Sequence, residues 1–314
     1  MMERSDKIFV CGHRGMVGSA CVRKLQAEGF TNILCRTHAE LDLRDQASVK
    51  AFFDAERPDY VILAGAKVGG IMANKTHCAE FLLENLEIQN NVIMQSYQHG
   101  VKKFCFLGSS CIYPCEAPQP IREEYLLTGP LEPTNEGYAL AKIAGYKLCL
   151  YLSRQYGWPT VSLMPCNLYG TNDNYHPENS HVFPALIRRF VAAADEGREC
   201  ETLWGTGRPL REFLHVDDVA NAVFHFMQRH EDPEVVNIGY GSDITIAELA
   251  EKIARAAGFQ GRIEWDASRP DGMYRKLMDS SRAQALGWKP QISLDEGIRR
   301  TVAEYRRGEG VRLG

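Results

Sequence analysis

In the first half of the chain, apolar residues come in short continuous runs, and each run is followed by a stretch in which they recur at helical spacing. Lys7-Ile8-Phe9-Val10-Cys11 reads as a buried strand that leads into a helix through Ala20, Val22 and Leu25. Next come an expected strand at Ile33-Leu34-Cys35, a helix through Ala47 to Phe53 and a strand over Tyr60-Val61-Ile62-Leu63-Ala64. A long helix from about Thr76 to His99, a strand over Lys103-Phe104-Cys105-Phe106-Leu107-Gly108, a helix carrying Tyr138 and a strand near Thr160 to Met164 continue the alternation. Strands that are apolar on both faces and alternate with helices predict an α/β fold with a doubly wound parallel sheet of the Rossmann type. Ligands of such sheets sit at the carboxyl ends of the strands. Polar residues and glycines collect at those ends: Gly12, Ala66-Lys67-Val68-Gly69-Gly70, Ser109-Ser110-Cys111 and Pro165-Cys166-Asn167.

The run Gly12-His13-Arg14-Gly15-Met16-Val17-Gly18 lies between the first strand and the first helix. Gly12 allows a tight turn, Gly15 a close backbone approach to a pyrophosphate, and Gly18 close packing of helix on strand. The second strand ends in Arg36-Thr37-His38, and no carboxylate follows until Glu40 and Asp42. With Arg14 in the loop itself, the local charge favours a ribose 2'-phosphate, hence NADP rather than NAD.

Tyr138 and Lys142 are four residues apart and so share one helix face. A nearby ammonium favours the phenolate, which lets a tyrosine exchange a proton with an alcohol or ketone oxygen beside a nicotinamide. The spacing alone equally suits an aromatic ring packed on a lysine stem. Ser109 at its strand end is placed to hydrogen-bond a substrate carbonyl or to cap its own turn. Cys111 is an acid–base candidate or an inert core thiol.

Composition changes this picture little. The 314 residues suffice for two lobes, and the net charge of -4 offers no tract for nucleic acid. No apolar stretch reaches the roughly 18 residues needed to span a bilayer, and the first six residues lack a signal peptide's apolar core. A cytoplasmic enzyme is the expectation. The ten cysteines are scattered without a C-x-x-C pair and read as reduced thiols rather than metal ligands.

The glycine loop, Ala66-Lys67-Val68-Gly69-Gly70-Ile71, Gly108-Ser109-Ser110-Cys111-Ile112-Tyr113-Pro114, Glu132-Pro133-Thr134-Asn135-Glu136 and Asn179-Ser180-His181-Val182 together resemble the GDP-L-fucose synthase family. That family belongs to the extended short-chain dehydrogenases/reductases. The likeness continues through Trp204-Gly205, Leu210-Arg211-Glu212-Phe213-Leu214-His215-Val216-Asp217-Asp218 and Pro270-Asp271-Gly272. It implies two epimerisations, at C3 and C5 of GDP-4-dehydro-6-deoxy-D-mannose, followed by NADPH-dependent reduction at C4. Cys111 and His181 would serve the epimerisations. Tyr138, Lys142 and Ser109 would serve the reduction.

The same resemblance implies cofactor contacts from Gly12, His13, Arg14, Gly15, Met16, Val17, Gly18, Arg36 and His38. Further contacts are implied from Leu107, Gly108, Ser109, Lys142, Pro165, Asn167, Leu168 and His181. The GDP sugar would be held by Arg189, on a helix from Phe183 to Ala194, and by Trp204, Arg211, Asp271 and Lys276. His38 stands where many relatives carry a cation, which leaves Arg14 as the main ground for NADP. Residues 1–170 with about 214–240 are expected to form the cofactor domain, and about 171–213 with 241–314 a smaller α/β substrate lobe. Asp218 is expected to cap a helix from Val219 to Met227. The connection from His230 to Val235 is short, and a homodimer is expected from the resemblance.

Two other functions fit the same fold. A 4,6-dehydratase would want an acidic residue beside its cleft hydroxyl, where this chain has Cys111; a 4-epimerase would hold NAD tightly. A non-catalytic dinucleotide sensor has no need of the Tyr138 and Lys142 pair.

Overall fold

The computed structural model describes residues 1–229, 232–269 and 271–313; Pro270 and the start of the connection at His230 lie outside them. The first strand, β1 (Ile8–Cys11), is buried throughout and turns at Gly12 into α1 (Met16–Ala27). β2 (Ile33–Leu34), α2 (Gln46–Glu56) and β3 (Tyr60–Leu63) follow. A short helix not expected from the sequence, α3 (Ile71–Thr76), precedes α4 (Cys78–Gln98), the long helix expected from about Thr76 to His99. They break at His77, whose φ of -126° and ψ of 38° leave the helical region. β4 (Lys103–Leu107), α5 (Glu136–Tyr156) and β5 (Thr160–Pro165) complete the first half.

Short elements then build a second layer: β6 (Asn167–Tyr169), α6 (Val182–Asp195), β7 (Cys200–Trp204), β8 (Leu210–Arg211) and β9 (Phe213–His215). They are followed by α7 (Val216–Arg229), β10 (Val236–Ile238), β11 (Ile244–Thr245), α8 (Ile246–Ala257), β12 (Arg262–Asp266) and β13 (Arg275–Lys276). α9 (Ser281–Ala285) and α10 (Leu294–Arg306) end the chain's regular structure.

Six parallel strands form the central sheet in the order β10-β5-β4-β3-β1-β2. The order reverses between β1 and β3, so the crevice for a ligand opens there, at the carboxyl ends. Gly12 sits at that opening with φ +75°, and a Cβ on it would come within 2.6 Å of the Gly65 Cα beyond β3. Only glycine fits both the left-handed backbone and the close approach. α1 and α7 pack together, as do α4 and α5, while the sheet's own core is made by residues such as Phe9, Ile62, Phe104, Phe106 and Leu163. A second apolar cluster gathers Phe183, Ile187 and Phe190 of α6 with Leu249 and Ile253 of α8 and Ile298 and Val302 of α10.

Asp218 is not a cap. α7 already begins at Val216, and the fully buried Asp218 carboxylate accepts from the amides of Gln291 and Ile292 at 3.0 Å each. A carboxylate before an apolar run has the look of a cap, but here it ties the helix to a loop more than seventy positions away. Among the described residues no helix is long and apolar enough to cross a membrane.

Candidate functional site

The glycine loop is built as a cradle. The N-cap of α1 is Gly15, with no side chain to satisfy the first amides of the helix, so these point outward as an anion site. A Cβ on Gly18 would lie 2.2 Å from the Gly12 carbonyl oxygen, which shows how closely helix and turn approach. The buried Nδ1 of His13 has no hydrogen-bond partner in the protein. Met16 and Val17 pack partly buried against the sheet core. An uncapped helix start, a backbone cradle and an orphaned ring nitrogen fit a dinucleotide.

Arg14 is exposed and free to reach outward. Arg36 is already engaged: its guanidinium donates to Glu56 at 2.6 Å and to the Cys35 carbonyl at 2.9 Å, and lies over Phe52. His38 is exposed, with its Nε2 3.3 Å from Arg44 and 3.6 Å from Asp42. Arg44 continues to Glu84, which also pairs with Lys67 beyond β3. Hydrogen bonds from the Thr37 amide and hydroxyl hold the Glu40 carboxyl below the usual range, with smaller contributions from the charges of Arg36 and Arg14.

At the end of β4 the Ser109 hydroxyl accepts from the Cys111 amide at 3.3 Å and so caps the short turn that carries the thiol. Lys142 Nζ is buried and donates to the Leu107 carbonyl at 2.9 Å, which pins it to the same strand end. It lies 5.7 Å from the centre of the Tyr138 ring and 5.2 Å from that of Phe106. Burial lowers Lys142 to about 8, partly offset by Cys111. The Tyr138 phenol is raised, by burial first and by Cys111 second. The lysine was expected to acidify the tyrosine; lost hydration instead raises the phenol, and Lys142 is not among the groups that shift it. Burial also pushes the Cys111 thiol up, while Lys276, the Ser109 hydroxyl and Lys142 pull it down. Thus Ser109, Cys111, Tyr138, Lys142 and Lys276 share one buried electrostatic neighbourhood.

His181 enters from another element, as the N-cap of α6 with its side chain uninvolved in capping. It is open to solvent, yet the surrounding protein reduces its hydration and lowers its pKa. Its loop rests against the third strand end: a Cβ on Gly70 would lie 3.4 Å from the Asn179 carbonyl oxygen. Leu107 and Gly108 line the end of β4, where a Cβ on Gly108 would strike the Met164 sulfur at 2.0 Å. Pro165 closes β5, Leu168 pairs with Leu214 between β6 and β9, and the Asn167 amide donates to the Glu212 carbonyl at 2.9 Å.

The expected sugar-nucleotide residues divide into two groups. Arg211 and Lys276 are register partners in the parallel pair of β8 and β13, so two cations stand side by side. Burial first, and then Arg211 among its neighbours, lowers the Lys276 pKa. Burial lowers that of Arg211 too, against the pull of Asp271. Like charges held together out of water suit an anion between them. Trp204 ends β7 with 69% of its surface exposed and Arg269 stacked 5.1 Å from its ring. It is not a core residue. By contrast, Arg189 is held within the protein by Glu201 at 2.6 Å and by the Thr202 carbonyl at 2.5 Å. Asp271 accepts from the Thr206 amide at 2.9 Å and its hydroxyl at 2.6 Å, and so fastens the turn after Trp204.

Two residues given no role from the sequence lie in this region. The Asn135 side-chain oxygen is buried without a partner immediately before α5. Glu212 is fully buried and accepts from the amides of Gly241 and Met278. A carboxylate set between Arg211 and the apolar pair Phe213-Leu214 was the available signal for it.

Residues 8–239 match the NAD dependent epimerase/dehydratase family. The chain belongs to that family. Within it, GDP-L-fucose synthase 1 of Arabidopsis thaliana is 59% identical over 305 residues, spanning 97% of this chain and 94% of that protein. GDP-L-fucose synthase of Escherichia coli (strain K12) is 51% identical, spanning 94% of this chain and 95% of its own length. Among solved structures, a GDP-mannoheptose C4 reductase from Campylobacter jejuni with NADP bound superposes with a TM-score of 0.91 at 38% identity, covering 98% of this chain and 100% of that one.

Proposed function

We propose that this protein is an NADP-dependent enzyme that converts GDP-4-dehydro-6-deoxy-D-mannose to GDP-L-fucose. The observation that carries this reading is the buried Cys111 thiol at the end of β4, on a turn capped by the Ser109 hydroxyl and in the electrostatic field shared with Lys276, Lys142 and Tyr138. A reductase alone needs the tyrosine and lysine but has no use for an ionisable thiol beside them.

The C4 ketone makes the protons on C3 and C5 acidic. A base removes one of them, the electrons move onto the C4 oxygen as an enolate, and an acid returns a proton to the opposite face. Cys111 and His181 form this acid–base pair. Burial keeps the Cys111 thiol protonated, the charges of Lys276 and Lys142 stabilise the thiolate once it gives up its proton, and His181, its pKa lowered by burial, offers a neutral imidazole able to exchange a proton. Ser109 and Tyr138 hold the C4 oxygen through both events. NADPH, when bound in the glycine-loop cradle, supplies the hydride that reduces C4. Tyr138 gives its proton to the resulting alkoxide, and the ammonium of Lys142 stabilises the phenolate left behind.

The GDP part is held by Arg211 and by Lys276, whose ammonium also neighbours Cys111, with Trp204 covering an apolar face, Asp271 fixing the turn beside it and Arg189 backing the strand that carries it. We take residues 1–170 with 214–240 as the cofactor domain and 171–213 with 241–314 as the sugar-nucleotide lobe. Ten free cysteines suit a reducing compartment, the cytoplasm. Purified protein is expected to oxidise NADPH only when the keto sugar is present; no oxidation would rule the reading out.

Leu83 on α4 and Leu140 and Tyr151 on α5 are 57%, 42% and 55% exposed, and the two helices pack side by side. This apolar face suits a second copy of the chain, as a homodimer. Light scattering should give twice the chain mass, and Leu140→Glu with Tyr151→Glu should halve it; a wild-type monomer would exclude the dimer.

A further inference from the structure

We infer that Glu212 is a positioning residue that locks Arg211 and Lys276 side by side for the substrate's diphosphate. This rests on the proposed sugar-nucleotide site. β8 and β13 are two residues long, so their ladder alone provides little to hold two adjacent cations together. Glu212 directly follows Arg211, and one carboxylate oxygen accepts from the Met278 amide at 3.0 Å, two residues beyond Lys276. The other accepts from the Gly241 amide at 2.7 Å, just before β11, whose Ile244 pairs with Arg211 on its other side. A single carboxylate therefore closes all three strands of the small sheet β11-β8-β13 around the cation pair.

The surroundings are shaped for it. A Cβ on Gly239 would come within 2.5 Å of one carboxylate oxygen and 2.9 Å of the other. The Asn167 side chain donates to the Glu212 backbone carbonyl, which joins the clamp to the end of the central sheet. The segment after Lys276 has a second tie, from the Leu277 amide to Gln119, but that tie leads away from β8. Glu212 is fully buried, so it acts through the strands and not by touching substrate.

Burial raises the Glu212 carboxyl to about 7, so at pH 8 and above it accepts both amides as a carboxylate, and an amide side chain there would turn an N–H donor toward one of them. Glu212→Gln should therefore loosen the cation pair while the cofactor cradle stays as it is. Affinities for GDP and GMP, measured by calorimetry on the full chain, read the second phosphate directly. In wild type GDP should bind tighter than GMP, and Lys276→Met should reduce that preference. Glu212→Gln should cut the preference at least tenfold and raise KM for the sugar nucleotide by a similar factor, with KM for NADPH within about threefold.

A general loss of stability would weaken GDP and GMP alike and would overturn the inference, as would an unchanged preference. If Glu212→Gln does not fold, Gly239→Ala, which crowds the same oxygens, should lower the preference in the same direction; its retention would overturn the inference. A wild type without preference for GDP, or one in which Lys276→Met changes nothing, would instead sink the diphosphate site itself.

Discussion

Tyr138→Phe is expected to slow reduction at C4 by about 10²–10⁴-fold, the usual contribution of a positioned general acid, or roughly 3–5 kcal/mol of barrier. The variant keeps the ring whose centre lies 5.7 Å from Lys142, so folding and cofactor binding should hardly change. What it loses is the proton for the alkoxide. The structure gives this proton a particular setting: burial keeps the phenol protonated, and Lys142, lowered to about 8, is still mostly charged at neutral pH. The charge is thus in place before the phenolate forms. Stopped-flow measurement of NADPH oxidation with a ketone already epimerised isolates this step. A loss of less than about tenfold would remove Tyr138 from the role of acid.

The second large effect is expected at the other pair. Cys111→Ser replaces a thiol that Lys276 and Lys142 help to ionise with a hydroxyl far too weak an acid to follow. His181→Gln removes the imidazole while leaving an N-cap position that makes no side-chain cap in the native protein. Both should suppress exchange of solvent deuterium into C3 and C5 by about 10²-fold or more, a typical share for an acid–base group. Hydride transfer to the epimerised ketone should fall much less. Mass spectrometry of recovered sugar nucleotide reads the first quantity and NADPH absorbance the second. Equal losses in both would mean that Cys111 and His181 shape the site and do not divide its labour from that of Tyr138.

Much of this was legible in the sequence, for identifiable reasons. The strands over Ile8–Cys11, Tyr60–Leu63 and Lys103–Leu107 are buried on both faces, so each writes itself as an unbroken apolar run. The glycine loop was legible because its positions are set by backbone contacts that admit no Cβ, as at Gly12 and Gly18. What escaped were features made by contacts distant in the chain. Two-residue strands such as β8, β11 and β13 carry no periodicity, so the pairing of Arg211 with Lys276 has no local signature. Asp218 was misread as a cap because its partners, Gln291 and Ile292, are remote. Arg36 read as a free cation because its partner Glu56 lies on the next helix. The short helix α3 went unread because six residues are too few to show a period, and it ends at His77 without a proline or glycine to mark it.

The expected acidity of Tyr138 differs for another reason. Spacing on a helix reports which residues are neighbours, but not how much water they keep. With Lys142 buried against the Leu107 carbonyl, lost hydration dominates both groups, and Cys111 rather than either partner is the charge that acts on each.

The most direct measurement is the isotope pattern of the product made in D₂O from GDP-4-dehydro-6-deoxy-D-mannose and unlabelled NADPH. NMR should find deuterium at C3 and C5, protium at C4 and the L-sugar configuration. A product reduced at C4 with protium retained at C3 and C5 would identify a simple ketoreductase and leave Cys111 and His181 without the role given to them.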